Sequence, residues 1–434
     1  MVKELFYEFW EKTLPEVRTR ELDIGRLDTD LINDIVGIRR CGKTYFMFLF
    51  IKHLLDDENV NKNQILYLNF ENRKLHPLKE SYFNDIVDFV YAEKLLDRFK
   101  KIYLFLDEAQ NINGWEKQLR SIYDEFKGKV KIVISGSNAS LLKKDYAALL
   151  TGRHLTINLY PLSFKEFLNF NNFSVNNKKI FTEREKSLIR KYLTEYIKSG
   201  GFPEVVLADE YKEDILQQYF GDIITRDIIS RERIRKDAFL VEEIAAYLIN
   251  NISNLFSLRK ISNFFGSSGN KISVPTLQNY LRFFENAFLF IPIRIFSYKI
   301  RERLQHPQKI YCIDAGLISA LSSKSSPDWG RLYENTVAVE LKRKKCEIYY
   351  WKDYRYNEVD FVIKKGLKIS TLIQVCYDMN KDNYEREASS LIKCSKELKC
   401  KDLLIITDDE EREFKESGIT IKSIPLYKFL LFGY

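Results

Sequence analysis

Between residues 30 and 160, short apolar runs alternate with longer stretches of helical periodicity. Each run is rich in β-branched or aromatic residues and is bounded by polar residues or glycine, which is typical of strands buried on both faces of a parallel sheet. The predicted strands are Leu31–Val36, Ile65–Phe70, Ile102–Leu106, Val130–Ser135 and Leu155–Leu159. This alternation predicts an α/β fold with a parallel sheet.

The pattern changes after this region and divides the rest of the chain. Residues 165–236 have helical periodicity, broken at Gly200-Gly201-Phe202-Pro203, and predict a helical lid. Residues 237–320 predict a winged helix-turn-helix. Its predicted elements are helices at Phe239–Asn251, Leu258–Phe265 and from Ser273, a turn at Gly266–Gly269, and strands at Leu289–Ile295 and Lys309–Ile313. With residues 1–164 as the α/β core and 321–434 as a separate mixed α/β domain after a polar linker, four segments are predicted.

A phosphate-binding motif follows the first predicted strand. The pattern GxxxxGK[ST] is matched in full, and the helical run that follows supplies the required context. The residues of the loop and the first turn of its helix are Gly37, Ile38, Arg39, Arg40, Cys41, Gly42, Lys43, Thr44 and Tyr45. Glycines allow backbone N–H groups to surround an anion at a helix N-terminus. We expect Lys43 to contact the β- and γ-phosphates of ATP and Thr44 to ligate Mg²⁺.

An acidic pair ends the third predicted strand. Asp107 stands at the carboxyl end of this strand, where it can hold Mg²⁺ beside the phosphate loop. Glu108, one residue further, is placed to polarise the attacking water. An apolar run ending in Asp-Glu is common by itself, but together with the phosphate motif it predicts ATP hydrolysis.

Further polar residues follow the later strands. Ser137 or Asn138 could sense the γ-phosphate or orient the water, although a turn or capping role is equally typical of these residue types. Arg153 could act as an arginine finger, either within its own subunit or in a neighbouring one, and a solvated arginine is the alternative. Arg226 is a weaker candidate of the same type.

The predicted winged helix offers a face to duplex DNA. In this motif the third helix enters the major groove and the wing touches phosphates. Gln278, Asn279 and Arg282 would point away from the apolar face of that helix. The basic residues of the predicted wing are Arg294, Lys299, Arg301 and Arg303. Winged helices also dock proteins, so DNA and a protein client are both kept as partners.

The amino-acid composition restricts the possible classes of protein but does not assign a function. The net charge of +8 is small for 434 residues, so it permits contact with nucleic acid without requiring it. The six cysteines form no CxxC pair and the four histidines are scattered, which predicts neither a disulfide framework nor a zinc site. No apolar run of about 18 residues and no signal-peptide pattern is present, so we expect a cytoplasmic protein.

The motifs together resemble those of prokaryotic and archaeal AAA-type P-loop ATPases with a degenerate PD-(D/E)xK-like C-terminal domain. The resemblance covers nearly the whole chain. The segments that carry it begin with the motifs at 37–44, 106–108 and 135–138, and continue with 150–153, 160–164, 200–203 and Glu358–Phe361. It implies a strand order 5-1-4-3-2, a helical lid, a winged helix and a restriction-nuclease-like fold at the end. It also implies Walker A roles for Lys43 and Thr44, Walker B roles for Asp107 and Glu108, and a sensor role for Ser137 or Asn138.

The C-terminal domain lacks part of the site that such a nuclease needs. A PD-(D/E)xK site takes an Asp on one strand, Glu-x-Lys on the next, and an upstream acid. Asp360 fills the first place, and Glu334 or Glu340 could be the upstream acid. Gln374 and Cys376 stand where Glu and Lys are required, and an amide is a poor replacement for a charged magnesium ligand. We therefore expect a catalytically inactive scaffold or interaction module.

The sequence is compatible with two functions from different classes. The first is a machine that hydrolyses ATP to drive a conformational change in an unknown protein or nucleic-acid client, as an oligomer or a single chain. The second is a regulatory switch, in which slow hydrolysis and nucleotide occupancy gate the binding of DNA or protein. A client should stimulate turnover of the machine several-fold, whereas a switch should release its partner when the nucleotide changes.

Overall fold

A computed structural model of the chain describes residues 1–22, 24–27, 29–137, 152–175, 181–234, 237–323, 326–416 and 418–433. The chain divides into two compact units, residues 1–160 and 161–434. The finer division into four segments stays a prediction.

The first unit contains a parallel sheet flanked by helices. Its strands are β1 (Ile32–Val36), β2 (Ile65–Asn69), β3 (Ile102–Asp107), β4 (Val130–Gly136) and β5 (His154–Asn158). Among the described residues, the α-helices of this unit are α1 (Val2–Glu11), α2 (Lys43–Asp56), α3 (Tyr82–Ala92), α4 (Leu95–Arg98) and α5 (Trp115–Glu125). The strands lie in the order β2-β3-β4-β1-β5, all pairings parallel. Read from the other edge, this is the expected order 5-1-4-3-2, which is thereby confirmed.

The central strands of this sheet are buried on both faces, as predicted, although β1 also buries Asn33 and Asp34 and β4 buries Lys131. All residues of β1 and β4 are buried, and β3 is buried except at one position. Because parallel strands all end at the same edge, the loops that follow β1, β3 and β4 meet there. This edge positions the phosphate loop, the acidic pair and Ser137.

The second unit begins with helices. They are α6 (Phe164–Phe170), α7 (Glu183–Ser199), α8 (Pro203–Leu207) and α9 (Lys212–Asp222), followed by a π-helix at Ile223–Ser230. The break between α7 and α8 has a packing cause. Gly200 has a φ of 75°, and a Cβ placed there would lie 1.9 Å from Oδ1 of Asp314. The backbone N–H of Gly201 donates a 2.7 Å hydrogen bond to Oδ2 of the same carboxylate.

Three helices and a small sheet follow. The helices are α10 (Ala238–Asn250), α11 (Leu258–Ser267) and α12 (Val274–Asn286), and the strands are β6 (Leu255–Phe256), β7 (Phe290–Ile293) and β8 (Gln308–Cys312). The sheet has the order β6-β8-β7 and is antiparallel. The helices lie close to their predicted positions, although α11 runs through the predicted turn to Ser267.

The segment between β7 and β8 differs from the prediction. Where a basic loop was expected, residues Ile300–Gln305 form helix α13. Ser297 explains its start, because its hydroxyl accepts a 3.0 Å hydrogen bond from the N–H of Lys299 and donates one of 2.7 Å to Glu302. Side chains of this type compete with extended backbone through such local bonds.

The remaining residues form a mixed α/β region. Its strands are β9 (Glu347–Lys352), β10 (Glu358–Lys365), β11 (Lys368–Val375), β12 (Leu403–Thr407), β13 (Arg412–Glu416) and β14 (Ile419–Pro425), in the sheet order β13-β14-β12-β11-β10-β9. Its helices are α14 (Ala315–Leu321), α15 (Trp329–Arg343), α16 (Lys381–Leu398) and α17 (Leu426–Phe432). A mixed sheet confirms the predicted α/β character of this part of the chain. Its likeness to a restriction nuclease and the winged-helix assignment stay predictions.

Candidate nucleotide-binding site

The phosphate loop joins β1 to α2 and depends on two glycines. A Cβ at Gly37 would lie 2.1 Å from the carbonyl oxygen of Leu159, so no larger residue fits there. Gly42 has a φ of 97°, in the left-handed region, and precedes the first residue of α2. The first N–H groups of a helix have no partner within it, and the helix dipole is positive at that end. The loop therefore presents the backbone donors that an anion requires.

The Lys43 side chain is buried and lies over this loop. Its Nζ donates hydrogen bonds of 3.2 Å to the carbonyl oxygens of Gly37 and Ile38. It also lies 3.8 Å from Oε1 of Glu108. One ammonium group therefore contacts both the loop and the acidic pair.

Asp107 is fully buried and collects several donors. Its Oδ2 accepts hydrogen bonds of 2.7 Å from the Thr44 hydroxyl and 3.0 Å from the Tyr67 hydroxyl, and its Oδ1 accepts one from the Ser135 hydroxyl. Burial, together with the charge of Glu108, raises the pKa of Asp107, and these three hydrogen bonds counteract the rise. The donors therefore favour the ionised form that binds a cation.

Glu108 sits at a strained turn directly after β3. Its φ is 54°, unusual for a residue with a side chain. Its backbone N–H donates a 3.1 Å hydrogen bond to the Ser135 hydroxyl, and its carboxylate accepts one from the Gln110 side chain. Strain of this kind is held in place by the surrounding contacts. Here those contacts aim the carboxylate toward Lys43.

Sequence reasoning missed three residues around Asp107. Tyr67 and Asn69 lie on β2, and Asn69 is in register with Asp107, to which it donates a 3.3 Å hydrogen bond. Ser135 was placed in a motif, but only its neighbours Ser137 and Asn138 were considered as contacts to the site. The strand order could have identified Asn69, because it puts the end of β2 beside the end of β3.

The other predicted residues of this unit are divided between the two edges of the sheet. Ser137 is buried and follows β4 at the edge that carries the phosphate loop. Asn138 lies outside the described residues. Arg153 precedes β5, whose first residue pairs with Ile32 at the start of β1. At about 3.3 Å per residue, five residues of strand put Arg153 about 16 Å from the phosphate-loop edge.

Arg153 therefore does not lie beside the phosphate loop of its own chain. Its guanidinium is 3.4 Å from the carboxylate of Asp124. Action in a neighbouring subunit stays a prediction. Arg226, in the second unit, is 63% exposed on the π-helix, with Nε 3.6 Å from Asp222.

The side chains proposed for DNA contact are on the surface. Gln278, Asn279 and Arg282 are exposed on α12, opposite a buried face. That buried face consists of Leu277, Tyr280 and Phe284. Arg301 is exposed on α13, and Arg303 is half-buried. The amphipathic pattern of α12 is as the sequence predicted.

The carboxylates predicted for the C-terminal domain are only partly brought together. Glu334 and Asp360 both contact the buried ammonium of Lys309. Glu340 instead pairs with Arg343 and Lys344. In the described part of the chain, no group of three or more His, Cys, Asp or Glu side chains is arranged to hold a metal ion. Within the same residues, no helix is both long and apolar enough to cross a membrane.

The parallel sheet with its phosphate loop and acidic pair defines a P-loop NTPase fold. Residues 30–168 match an AAA domain family, and residues 190–328 and 329–427 match two domains of unknown function, DUF8612 and DUF4143. The chain is 37% identical to the uncharacterized protein MJ1544 of Methanocaldococcus jannaschii over 431 residues, covering 96% of this chain and 91% of that protein. It is 33% identical to an uncharacterized protein of Haemophilus influenzae over 362 residues, covering 83% and 86%. The chain belongs to the AAA-type P-loop ATPase family that these relatives represent.

A solved structure is similar over much of the chain. The Walker-type ATPase paby2304 of Pyrococcus abyssi aligns with a TM-score of 0.44 at 14% identity. The alignment covers 70% of this chain and 98% of that one.

Proposed function

We propose that this chain binds ATP with Mg²⁺ at the phosphate loop and hydrolyses it to ADP and phosphate, and that the cycle drives a conformational change in a protein or nucleic-acid client. The observation that carries the proposal is the meeting of two motifs at one edge of the sheet. Thr44 lies 2.7 Å from Asp107, and Lys43 lies 3.8 Å from Glu108. The AAA family match supports the same activity.

The residues present fit a magnesium site. The hydroxyl of Thr44 and the buried carboxylate of Asp107 are hard oxygen ligands that are already in contact. Mg²⁺ keeps several waters and is held by few protein ligands together with substrate phosphates, so two such groups suffice. When bound, the ion neutralises charge that develops on the β- and γ-phosphate oxygens.

In the proposed reaction, the chain's residues position the substrate and move one proton. The loop amides and Lys43 hold the triphosphate, and Lys43 exchanges its bonds to the Gly37 and Ile38 carbonyls for bonds to phosphate oxygens. Glu108 accepts a proton as the oxygen of water forms a bond to the γ-phosphorus. The bond from that phosphorus to the bridging oxygen breaks, and its electron pair leaves with ADP.

Binding and turnover of the full chain test this proposal. Lys43→Ala should abolish Mg·ATP binding in calorimetry, because it removes the buried ammonium that lies over the phosphate loop. Glu108→Gln should bind Mg·ATP like the wild type but hydrolyse it about 100-fold more slowly or worse. Glu58→Gln, a change of an exposed acid beyond the end of α2, is the matched control and should retain both. A wild-type rate in Glu108→Gln would remove its assignment as the base, and a missing heat of binding in the wild type would end the proposal.

A further inference from the structure

A buried lysine in the second unit is surrounded by three carboxylates. The side chain of Lys309 is only 2% exposed. Its Nζ lies 2.9 Å from Oε1 of Glu334, 2.7 Å from Oε1 of Glu358 and 2.8 Å from Oδ1 of Asp360. Three carboxylate oxygens therefore converge on one positive charge.

The three carboxylates come from elements that are far apart in sequence. Lys309 is on β8, Glu334 is on α15, and Glu358 and Asp360 are on β10. Glu358 and Asp360 are two residues apart, so a strand projects both side chains from the same face. The pocket thus joins the small antiparallel sheet to the mixed sheet within the second unit.

Each carboxylate is fixed by a second contact. Asp360 accepts a 3.0 Å hydrogen bond from the N–H of Val375 on its other oxygen. Glu358 binds Lys352 at 2.9 Å through its other oxygen. Glu334 accepts a 2.6 Å hydrogen bond from the Tyr311 hydroxyl. The oxygens that face Nζ are therefore held in place rather than free to turn away.

The charges of the pocket explain why an ammonium is stable there. Burial by itself lowers the pKa of Lys309, but the carboxylates of Asp360 and Glu334 outweigh burial and raise that pKa well above its ordinary value. A buried cation without such partners would lose its proton. Conversely, three buried carboxylates without a cation would repel each other, so the pocket requires one.

Carboxylate oxygens are the ligands that Mg²⁺ and Mn²⁺ prefer in proteins. Here an ammonium occupies the point at which three of them meet, so the described group as it stands holds no metal ion. We propose that the Lys309 ammonium takes the place of a divalent cation, so that this pocket is a metal-type site whose cation is part of the chain. Gln374 is consistent with this arrangement, because its Oε1 accepts the backbone N–H of Asp360 at 3.2 Å, so that this oxygen is already engaged. The pocket therefore binds no metal in the native protein and serves to join β8, α15 and β10.

The proposal is tested by removing the internal cation from the full, nucleotide-free chain and titrating with Mn²⁺, followed by electron paramagnetic resonance. Lys309→Ala should bind one more Mn²⁺ per chain than the wild type. The double variant Lys309→Ala with Asp360→Ala should lose that ion, which separates this pocket from any Mn²⁺ at the phosphate loop. Lys352→Ala is the matched control: it also removes an ammonium from Glu358, but leaves Lys309 in place, and should gain no Mn²⁺.

Two results would overturn the proposal. One is Mn²⁺ binding by the wild type that Asp360→Ala removes, which would show a metal site beside the lysine. The other is a folded Lys309→Ala that gains no ion. If Lys309→Ala does not fold by itself, Mn²⁺ should restore its thermal transition, and the double variant should not respond. Absence of that rescue would also contradict the proposal.

Discussion

The hydroxyl of Thr44 donates a 2.7 Å hydrogen bond to Oδ2 of Asp107, which joins two motifs that are 63 residues apart in the chain. Thr44 is the second residue of α2, which follows β1, and Asp107 ends β3, with β4 between these two strands. The contact is possible because parallel strands deliver their following loops to one edge of the sheet. The proposed magnesium ligands are therefore in position before a nucleotide arrives.

Replacing the Thr44 hydroxyl tests this relationship. Thr44→Val keeps the shape of the side chain but removes the oxygen, so the Mg²⁺-dependent part of ATP affinity should fall by about tenfold or more, the order of one lost bond to a charged group. Thr44→Ser keeps the oxygen and is the matched control, with affinity close to that of the wild type. Calorimetry with and without Mg²⁺ measures both. Equal loss in the two variants would point to packing rather than to the hydroxyl.

Removing a donor from Asp107 should change the pH dependence of hydrolysis. The Ser135 hydroxyl lowers the pKa of Asp107, so Ser135→Ala should raise that pKa beyond the increase already caused by burial and Glu108. Protonation of Asp107 then begins at higher pH as the solution is acidified. The acidic limb of the ATPase profile should accordingly move to higher pH.

The comparison variant for this profile is Ser137→Ala. Ser137 is also buried at this edge, but it is not among the main causes of the pKa shift of Asp107. It should lower the rate if it is the sensor, without moving the acidic limb. The hydrolysis rate of each variant is measured between pH 5 and 8. An acidic limb that does not move in Ser135→Ala would contradict the role of the Ser135 hydroxyl in lowering the pKa of Asp107.

The signal for the predicted phosphate site is local in the sequence. Gly37, Gly42 and Lys43 belong to one loop and the helix start that follows it, and the strand before this loop is short and entirely buried. Asn69 and Tyr67 were missed because they reach Asp107 across the sheet from another strand, and only the strand order shows that these strands are neighbours. The prediction for Arg153 did not take into account that this residue lies at the sheet edge opposite the phosphate loop.

Lys309 was not predictable in the same way. It appeared as the first residue of a strand, and its nearest carboxylate partner along the chain is 25 residues away. The carboxylate partners of Lys309 lie on α15 and β10, and only tertiary packing brings these elements to β8. The spacing of residues along the chain therefore does not predict these contacts. The helix at Ile300–Gln305 was missed because local side-chain bonds at Ser297 outweighed the loop-like composition.

The break at Gly200 should tolerate no side chain. Gly200→Ala would place a Cβ 1.9 Å from Asp314, whose carboxylate also accepts the N–H groups of Gly201 and Gly316. We expect the free energy of unfolding of the second unit to fall by at least about 3 kcal/mol, from a strained φ and overpacking together. Gly366→Ala is the matched control, because its φ is 63° but nothing lies within 4 Å.

Gly366→Ala should cost about 1–2 kcal/mol, from backbone strain alone. Urea unfolding of both variants, followed by circular dichroism, gives the difference. Equal destabilisation of the two would show that the close contact with Asp314 contributes nothing beyond the backbone conformation.

The exposed face of α12 should bind duplex DNA if the predicted winged helix contacts nucleic acid. Gln278, Asn279 and Arg282 lie on that face, and an arginine there can bond to a base edge or a phosphate. Arg282→Ala should weaken binding of a labelled duplex by about tenfold. Lys415→Ala removes an equal charge from an exposed position on β13 and should leave the affinity nearly unchanged. Because phosphate contacts release counterions, wild-type affinity should fall steeply with salt, and an affinity that is flat between low and high salt would exclude this face as a DNA-binding surface.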